Sequence, residues 1–403
     1  MMTNKIENGM KLKRCNGLLR TALSFASDGW LAQVTQRACL LVNTCFVVSL
    51  SIAIMLAGFG CGKNDATASK HVPKETPICI GVILPLTGEA SSYGVDCRKG
   101  VELAASLSES RVQFIFEDSK AEPKQAVSAM QRLITQKKVI AVIGDMFSST
   151  TLAIAPIAQE EGIILLTPTA AAIDIPATGD KVFTIYPSSK FEGEFMAQYA
   201  LKAGVKRLGI MVQQFQAAEE LATAFSKTYA NSSGLVAYTE IFPTGTRDFR
   251  SLIASIKTKP VDAIFISAYG QEASLFVQQS REAGFNPLFL SQSSLYDQKL
   301  LADFASILEG TVFSAPFFTE ERATPKVIAF RNAYKTKYGM DPSVWAAYGY
   351  DSASLIMTAI AQQIHTGKPL HSTIQGISMD GTTGPLSFNP DRTARRSMSS
   401  GSN

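Results

Sequence analysis

Short apolar runs alternate with amphipathic stretches from residue 78 onwards. Four runs predict strands in the first part of the chain: ICIGVIL (78–84), VQFIFE (112–117), VIAVIG (139–144) and IILL (163–166). A stretch with helical periodicity follows each of these strands. The first of these helices is predicted at 92–107, and another begins near Ser148 or Ser149. Nearly continuous apolar runs separated by helices are typical of parallel strands with helices on both faces. The pattern therefore predicts a parallel α/β sheet.

The same alternation restarts after Pro187. Further strands are predicted at 207–212, 235–241, 262–267, 287–290 and 311–314. The helices between them include one over 247–257 that Thr246 is expected to cap, and helices near 325–338 and 344–364 complete the pattern. Two doubly wound lobes result. We predict that residues 77–188 and 316–387 form the first lobe and that 189–315 and 388–403 form the second.

Two such lobes predict a cleft between them. Ligands of doubly wound sheets bind beyond the carboxyl ends of the strands, and these ends converge when two lobes face each other. The fold class is therefore predicted as α/β, with two parallel-sheet lobes and an interdomain cleft.

The N-terminal segment has the pattern of an export signal. Residues 38–60 are apolar and uncharged, Arg37 precedes them, and Cys61 follows Gly60. A basic flank, an apolar region and a small residue before a cysteine resemble a bacterial lipoprotein signal. We expect residues 1–60 to be removed, Cys61 to carry the lipid and residues 61–76 to form a polar tether. An uncleaved transmembrane helix is the alternative, because the apolar run is long enough to span a bilayer.

Composition argues against several classes of function. The net charge of +4 is spread without a basic block, so nucleic-acid binding is not expected. Three histidines make a metal site a poor expectation, and the two cysteines of the body, Cys79 and Cys97, are expected to be free thiols. No dinucleotide, phosphate-loop, nucleophile-elbow or zinc-protease motif occurs. We expect no catalytic residue, no cofactor and no metal.

Several loops match one known family. The segments GVILPLTGEASSYGVDCRKGVELA, VIGDMFSSTTLAIAPIAQEEGIILLTPTAA and DAIFISAYGQEASLFVQQSREAG resemble type I periplasmic binding proteins of the leucine/isoleucine/valine-binding kind. The resemblance covers about residues 76 to 390. It implies a two-lobe fold that closes on a small polar solute, an amino acid, amide or carboxylate, and serves the permease of an ABC importer.

The resemblance also implies a ligand-binding site. Its positions in this sequence are Tyr93, Ser148, Ser149, Thr169, Ala171, Tyr269 and Ser293. Ser148, with Ser149 beside it, matches the hydroxyl at a helix start that binds a ligand carboxylate, and a helix N-terminus favours an anion on physical grounds. Tyr93 and Tyr269 match cleft aromatics, and the backbone at Thr169 matches a ligand contact.

Four of the family's site positions are altered. Ala171 lacks the expected hydroxyl, and Ser293 stands where the family has the acid that pairs with an amino-acid ammonium. The aromatic–glycine pair of the second lobe maps to Ala217 and Ala218, with Phe215 able to fill the space. Glu272 or Asp297 is the candidate replacement acid. Since a buried ammonium needs a partner, a ligand other than a standard α-amino acid is a reasonable hypothesis.

The C-terminal tail leaves other functions open. The chain ends in the polar segment RTARRSMSSGSN, and the second lobe is expected to lack an edge strand. The main hypothesis is a periplasmic lipoprotein, anchored in the outer rather than the inner membrane. Lipoproteins of this fold that activate penicillin-binding proteins are the alternative, and an α/β enzyme is a third possibility because fold does not fix function.

Overall fold

A five-stranded parallel sheet forms the centre of the first lobe. The computed structural model describes residues 76–315, 318, 324–396 and 399–402. The strands are β1 (Ile78–Leu84), β2 (Val112–Asp118), β3 (Ala141–Gly144), β4 (Ile164–Thr167) and β5 (Val182–Thr184), in the spatial order β2-β1-β3-β4-β5. The helices of its first half are α1 (Ser91–Ser106), α2 (Pro123–Lys137), α3 (Ser148–Glu160) and the short α4 (Asp174–Ala177).

The inner strands of the first sheet are buried on both faces because they are apolar, whereas the edge strand β2 is only half-buried. Ile80, Val82 and Leu84 of β1 face one core, and Ile83 faces the other. Consecutive side chains of a strand point to opposite faces, so one apolar run supplies both cores. The continuous apolar pattern of the sequence has this physical origin.

The second lobe is built on a six-stranded sheet. Its strands are β6 (Arg207–Gln213), β7 (Leu235–Phe242), β8 (Ala263–Ser267), β9 (Leu288–Ser291), β10 (Val312–Ala315) and β14 (Ser399–Ser402), in the order β14-β10-β9-β8-β6-β7. The helices are α5 (Ser189–Lys202), α6 (Gln216–Asn231), α7 (Arg250–Ile256), α8 (Gly270–Glu282), α9 (Gln298–Asp303) and α10 (Ala305–Leu308). All strand pairs are parallel except β10 with β14. The predicted α/β class with two doubly wound lobes is confirmed.

The chain returns to the first lobe after β10. Helices α11 (Pro325–Tyr338), α12 (Val344–Thr366) and α13 (Leu370–Gln375) pack there, followed by the small antiparallel sheet of β11 (Met379–Gly381), β12 (Gly384–Phe388) and β13 (Ala394–Arg395). Helices α1 and α12 approach closely. A Cβ atom at Gly100 would lie 1.9 Å from the carbonyl oxygen of Ala346, and one at Gly349 would lie 2.1 Å from that of Cys97.

The C-terminal segment differs from its prediction in two ways. Residues 388–396, assigned to the second lobe from the sequence, contact the first: Phe388 packs in its core, and Thr393 bridges Thr184 of β5. Second, residues 399–402 pair antiparallel with β10 and supply the edge strand expected to be missing. A strand of Ser and Gly has no apolar pattern to reveal it, so it is identified by its pairing with β10.

The predicted cap at Thr246 is wrong, and helix α3 has no side-chain cap. Helix α7 begins at Arg250, with Phe249 as the residue before it, and the Thr246 hydroxyl donates to the carbonyl oxygen of Pro243. Ser148 is the first residue of α3 and Phe147 occupies the cap position, so neither Ser148 nor Ser149 caps this helix. Of the two described cysteines, both free, Cys97 is buried and Cys79 is half-buried.

Two sequence predictions concern residues 1–75. The export signal, Cys61 and most of the polar tether lie outside the described residues. Across the part of the chain that the structure describes, every helix is too short or too polar to cross a membrane.

Candidate functional site

Four helices begin around one cavity between the lobes. The residues before α1, α3, α6 and α8 are Ala90, Phe147, Phe215 and Tyr269, and within the described residues none of these positions provides a side-chain cap. Each helix therefore presents first-turn N–H groups without a side-chain acceptor at its cap position, together with the positive end of its dipole. Both lobes contribute such ends.

The cavity has about 660 Å³ of unoccupied space, part of it open to solvent. Its walls are mostly rings, hydroxyl groups and small side chains. The lining residues are Tyr93, Met146, Phe147, Ser148, Thr169, Ala171, Tyr186, Ser189, Glu192, Phe215, Ala217, Leu221, Tyr269, Gln292, Ser293, Ser294 and Trp345.

The structure brings six of the seven predicted site residues together. Tyr93, Ser148, Thr169, Ala171, Tyr269 and Ser293 all line the cavity. Ser149 is exposed and outside the lining, because consecutive residues of a helix point about 100° apart. The prediction that Ser149 contacts the ligand is therefore not supported by its position.

Aromatic rings from both lobes form one continuous wall. Trp345 contacts Tyr93 edge to face at 5.3 Å between ring centroids, and Tyr93 contacts Phe147 at 6.1 Å. Phe147 meets Tyr269 of the second lobe at 5.7 Å, and Phe215 stacks on Tyr269 at 4.2 Å. Phe215 lines the cavity together with Ala217, the position to which the family's aromatic residue maps.

Hydroxyl and amide groups surround the start of α3. The Ser148 Oγ accepts a hydrogen bond from the Ala172 N–H at 3.2 Å, which leaves the hydroxyl proton for another acceptor. The Thr169 hydroxyl donates to the carbonyl oxygen of Met146 at 2.8 Å, so its contribution to the cavity is its backbone. A hydroxyl donor beside an uncapped helix N-terminus can hold a carboxylate.

An acid that the sequence analysis missed lies next to Ser293. Glu192, in the first turn of α5, accepts a hydrogen bond from the Ser293 N–H at 2.6 Å and one from the Ser314 hydroxyl. The Ser293 hydroxyl pairs with the Tyr186 hydroxyl at 2.6 Å. The position that lost the family's acid therefore has a carboxylate beside it from another element.

The two acids predicted as replacements lie elsewhere. Glu272 accepts from the Gly245 N–H at 3.3 Å, and Asp297 accepts from the Trp345 indole N–H at 3.1 Å. Neither lines the cavity. Their hydrogen bonds hold a loop and the Trp345 ring, so their positions do not support direct contact of either acid with the ligand.

Burial controls the protonation states of the cavity. Desolvation raises the pKa of Tyr93 to about 12 and raises the pKa of Tyr269 further, so both hydroxyls are neutral at pH 7. Burial also raises the pKa of Asp145, directly behind the start of α3, to about 6. Within the described residues, no group of three His, Cys, Asp or Glu is arranged to hold a metal ion.

Hydrogen bonds join the lobes at the rim of the cavity. The Ile173 N–H of the first lobe donates to Glu220 of α6 at 2.9 Å, and the Gln216 amide donates to Asp174 at 2.8 Å. With the ring contact of Phe147 and Tyr269, they define a closed arrangement.

Two α/β lobes closed over a cavity lined with rings and helix ends define a bilobed solute-binding protein. The family model described as periplasmic binding protein matches residues 77–400. The chain belongs to the periplasmic binding protein family, and it is a binding protein, not an enzyme. The predicted family is thereby confirmed.

Named relatives agree with this family. The Leu/Ile/Val-binding protein homolog 3 of Brucella melitensis is 28% identical over 334 residues, which cover 77% of this chain and 89% of the relative. A crystal structure of a leucine-binding protein from Thermotoga maritima has a TM-score of 0.74 at 26% identity, covering 80% of this chain and 94% of that one. A benzoate complex of a solute-binding protein from R. palustris has a TM-score of 0.74 at 21% identity, covering 80% and 92%, and shares the fold.

Proposed function

We propose that this protein is the extracytoplasmic receptor of an ABC importer and that its cleft binds a small solute with a carboxylate group and an apolar body. One observation carries the proposal: uncapped helix starts of both lobes meet an aromatic wall in one cavity. The helix starts favour an anionic group, and the rings favour an apolar body.

The ligands of the relatives support this chemistry. The Brucella relative is named for leucine, isoleucine and valine, and the R. palustris protein was crystallised with benzoate. These ligands share a carboxylate on an apolar body. Because the cavity of this chain has rings at Tyr93, Phe147, Phe215, Tyr269 and Trp345, aromatic and branched apolar carboxylates are both candidates.

A permease is the expected protein partner. Receptors of this family deliver their solute to a transporter in the membrane, and the closed arrangement is the form that a permease would recognise. The alternative of a penicillin-binding-protein activator has no observation in its favour.

A thermal-shift screen tests the proposal. We expect apolar L-amino acids or aromatic carboxylates to raise the melting temperature, because a ligand at a hundred times its Kd stabilises the folded state by about 2.7 kcal/mol. This corresponds to a shift of roughly 4 °C in a chain of this size. Amines that lack a carboxylate serve as controls and are expected to give no shift. Equal shifts for carboxylates and these amines, or no shift in either group, would contradict the proposal.

We further propose that Cys61 carries a lipid anchor, with the outer membrane as the destination. The apolar segment 38–60 and the small residue Gly60 support this proposal, and Gly62 does not indicate retention at the inner membrane. Metabolic labelling with a radioactive fatty acid should mark the wild-type protein and leave Cys61→Ser unlabelled. Equal labelling of both would refute lipidation at Cys61, and recovery of the labelled protein in the inner-membrane fraction would refute the destination.

A further inference from the structure

Glu192 differs from every other group that faces the cavity. Among the lining residues that the structure describes, it alone has a charged side chain, and it is only 3% exposed. The Ser293 N–H at 2.6 Å and the Ser314 hydroxyl both donate to its Oε1 atom. These donors orient the carboxylate but carry no charge to balance it.

The surroundings of Glu192 favour its ionised form once a cation is present. It stands in the first turn of α5, whose N-terminus stabilises a negative charge. Burial raises the pKa of Glu192, and the hydrogen bonds from Ser314 and Ser293 act in the opposite direction.

Two tyrosines that the charge of Glu192 affects, Tyr186 and Tyr348, also have raised pKa values and are neutral at pH 7. The buried cation Arg396 contacts the ring of Tyr348 and donates its hydrogen bonds to backbone carbonyl oxygens. A buried carboxylate in such surroundings requires a cationic partner.

The cavity therefore has two electrostatic regions. The start of α3 and the Ser148 hydroxyl favour a negative group, whereas Glu192 beside Ser293 favours a positive one. A carboxylate alone satisfies the first region and leaves the second without a partner. A zwitterion satisfies both.

We propose that Glu192 is the specificity-determining residue of the cleft and that it selects solutes with a protonated amine. The inference rests on the proposed function, whose carboxylate site it completes. Glu192, on helix α5, provides the carboxylate that pairs with the ammonium group of the solute, which Ser293 cannot provide. Ser293 becomes a positioning residue that holds the carboxylate of Glu192 through its N–H. The preferred solute is then an apolar α-amino acid.

Matched pairs of solutes test the proposal on the wild-type protein. Calorimetric titrations compare L-leucine with 4-methylpentanoate, L-valine with 3-methylbutanoate, and L-phenylalanine with 3-phenylpropanoate. We expect at least one amino acid to bind about 100-fold more tightly than its partner without the amine. If every des-amino acid that binds does so as tightly as its amino acid, the inference fails and the proposed function stands. If no amino acid and no carboxylate binds, the proposed function fails as well.

The variant Glu192→Gln tests the residue itself. The amide keeps the size of the side chain and removes its charge, so the preference for the amine should fall by about 100-fold while the affinity for the des-amino acid stays the same or rises. Glu194→Gln is the matched control, because Glu194 lies on the same helix and lines a separate surface groove. Circular dichroism verifies that both variants are folded. An unchanged preference in Glu192→Gln overturns the assignment, and the wild-type pairs decide the question if that variant does not fold.

Discussion

Replacing Ser148 by aspartate is expected to abolish solute binding and to leave the fold intact. Ser148 is the first residue of α3 and faces the cavity, so an aspartate there places a negative charge where the solute carboxylate is proposed to bind. Juxtaposed like charges cost several kcal/mol, which corresponds to a loss of affinity of at least about 100-fold. Calorimetric titration with the best solute of the screen measures the loss.

An acid in the first turn of a helix is favourable, but Ser148 is only 8% exposed and lies three residues after the buried Asp145. We therefore expect the free energy of unfolding without solute to fall by roughly 1–3 kcal/mol, which leaves the protein folded. Ser149→Asp is the matched control, since Ser149 is the next residue of the same helix and is exposed. Its effect on affinity should be much smaller. Equal losses in both variants would show a general field effect at the helix end, and tight binding by Ser148→Asp would exclude a carboxylate at this position.

Gly100→Ala is expected to destabilise the first lobe strongly. A Cβ atom at Gly100 would lie 1.9 Å from the carbonyl oxygen of Ala346 in α12, and a backbone atom cannot rotate away as a side chain can. The two helices must move apart, and because interiors are close-packed the movement disturbs the core that they share. Overpacking of this kind costs about 3 kcal/mol. Chemical denaturation of the solute-free protein measures the loss.

The control for this prediction is Gly376→Ala. Gly376 has an ordinary φ of −86°, and its nearest neighbour to an added Cβ is the Ser372 carbonyl oxygen at 3.6 Å. We expect a change within about 0.5 kcal/mol. A similar small change for Gly100→Ala would mean that α1 and α12 adjust at little cost, contrary to the close contact described here.

The sheets could be predicted from sequence because their strands carry the signal. The run ICIGVIL is apolar at every position, and β1 is in fact buried on both faces. By contrast, β14 consists of Ser and Gly, so only the pairing with β10 identifies it. Helix starts are also weakly encoded here, since aromatic residues such as Phe147 and Tyr269 occupy positions where polar caps are usual.

The cleft was predicted through residues that stand at strand ends. Ser148, Thr169 and Tyr269 each follow a buried strand, and parallel strands bring these ends together. Glu192 follows no strand directly, and a single acid in the first turn of a helix usually serves the helix dipole. Its role depends on the contact with Ser293, about a hundred residues later in the chain, and no local pattern contains that contact.

The aromatic wall shared by the two lobes couples solute binding to the closed arrangement of the lobes. Phe147 belongs to one half of the protein and Tyr269 to the other, so an open molecule would offer a solute only part of its wall. The apolar body of the solute then acts as a bridge whose burial stabilises the compact form relative to the extended one. A transporter that contacts only the outer surface of the receptor would thereby distinguish the closed, solute-bound form from the open, solute-free form without contacting the solute.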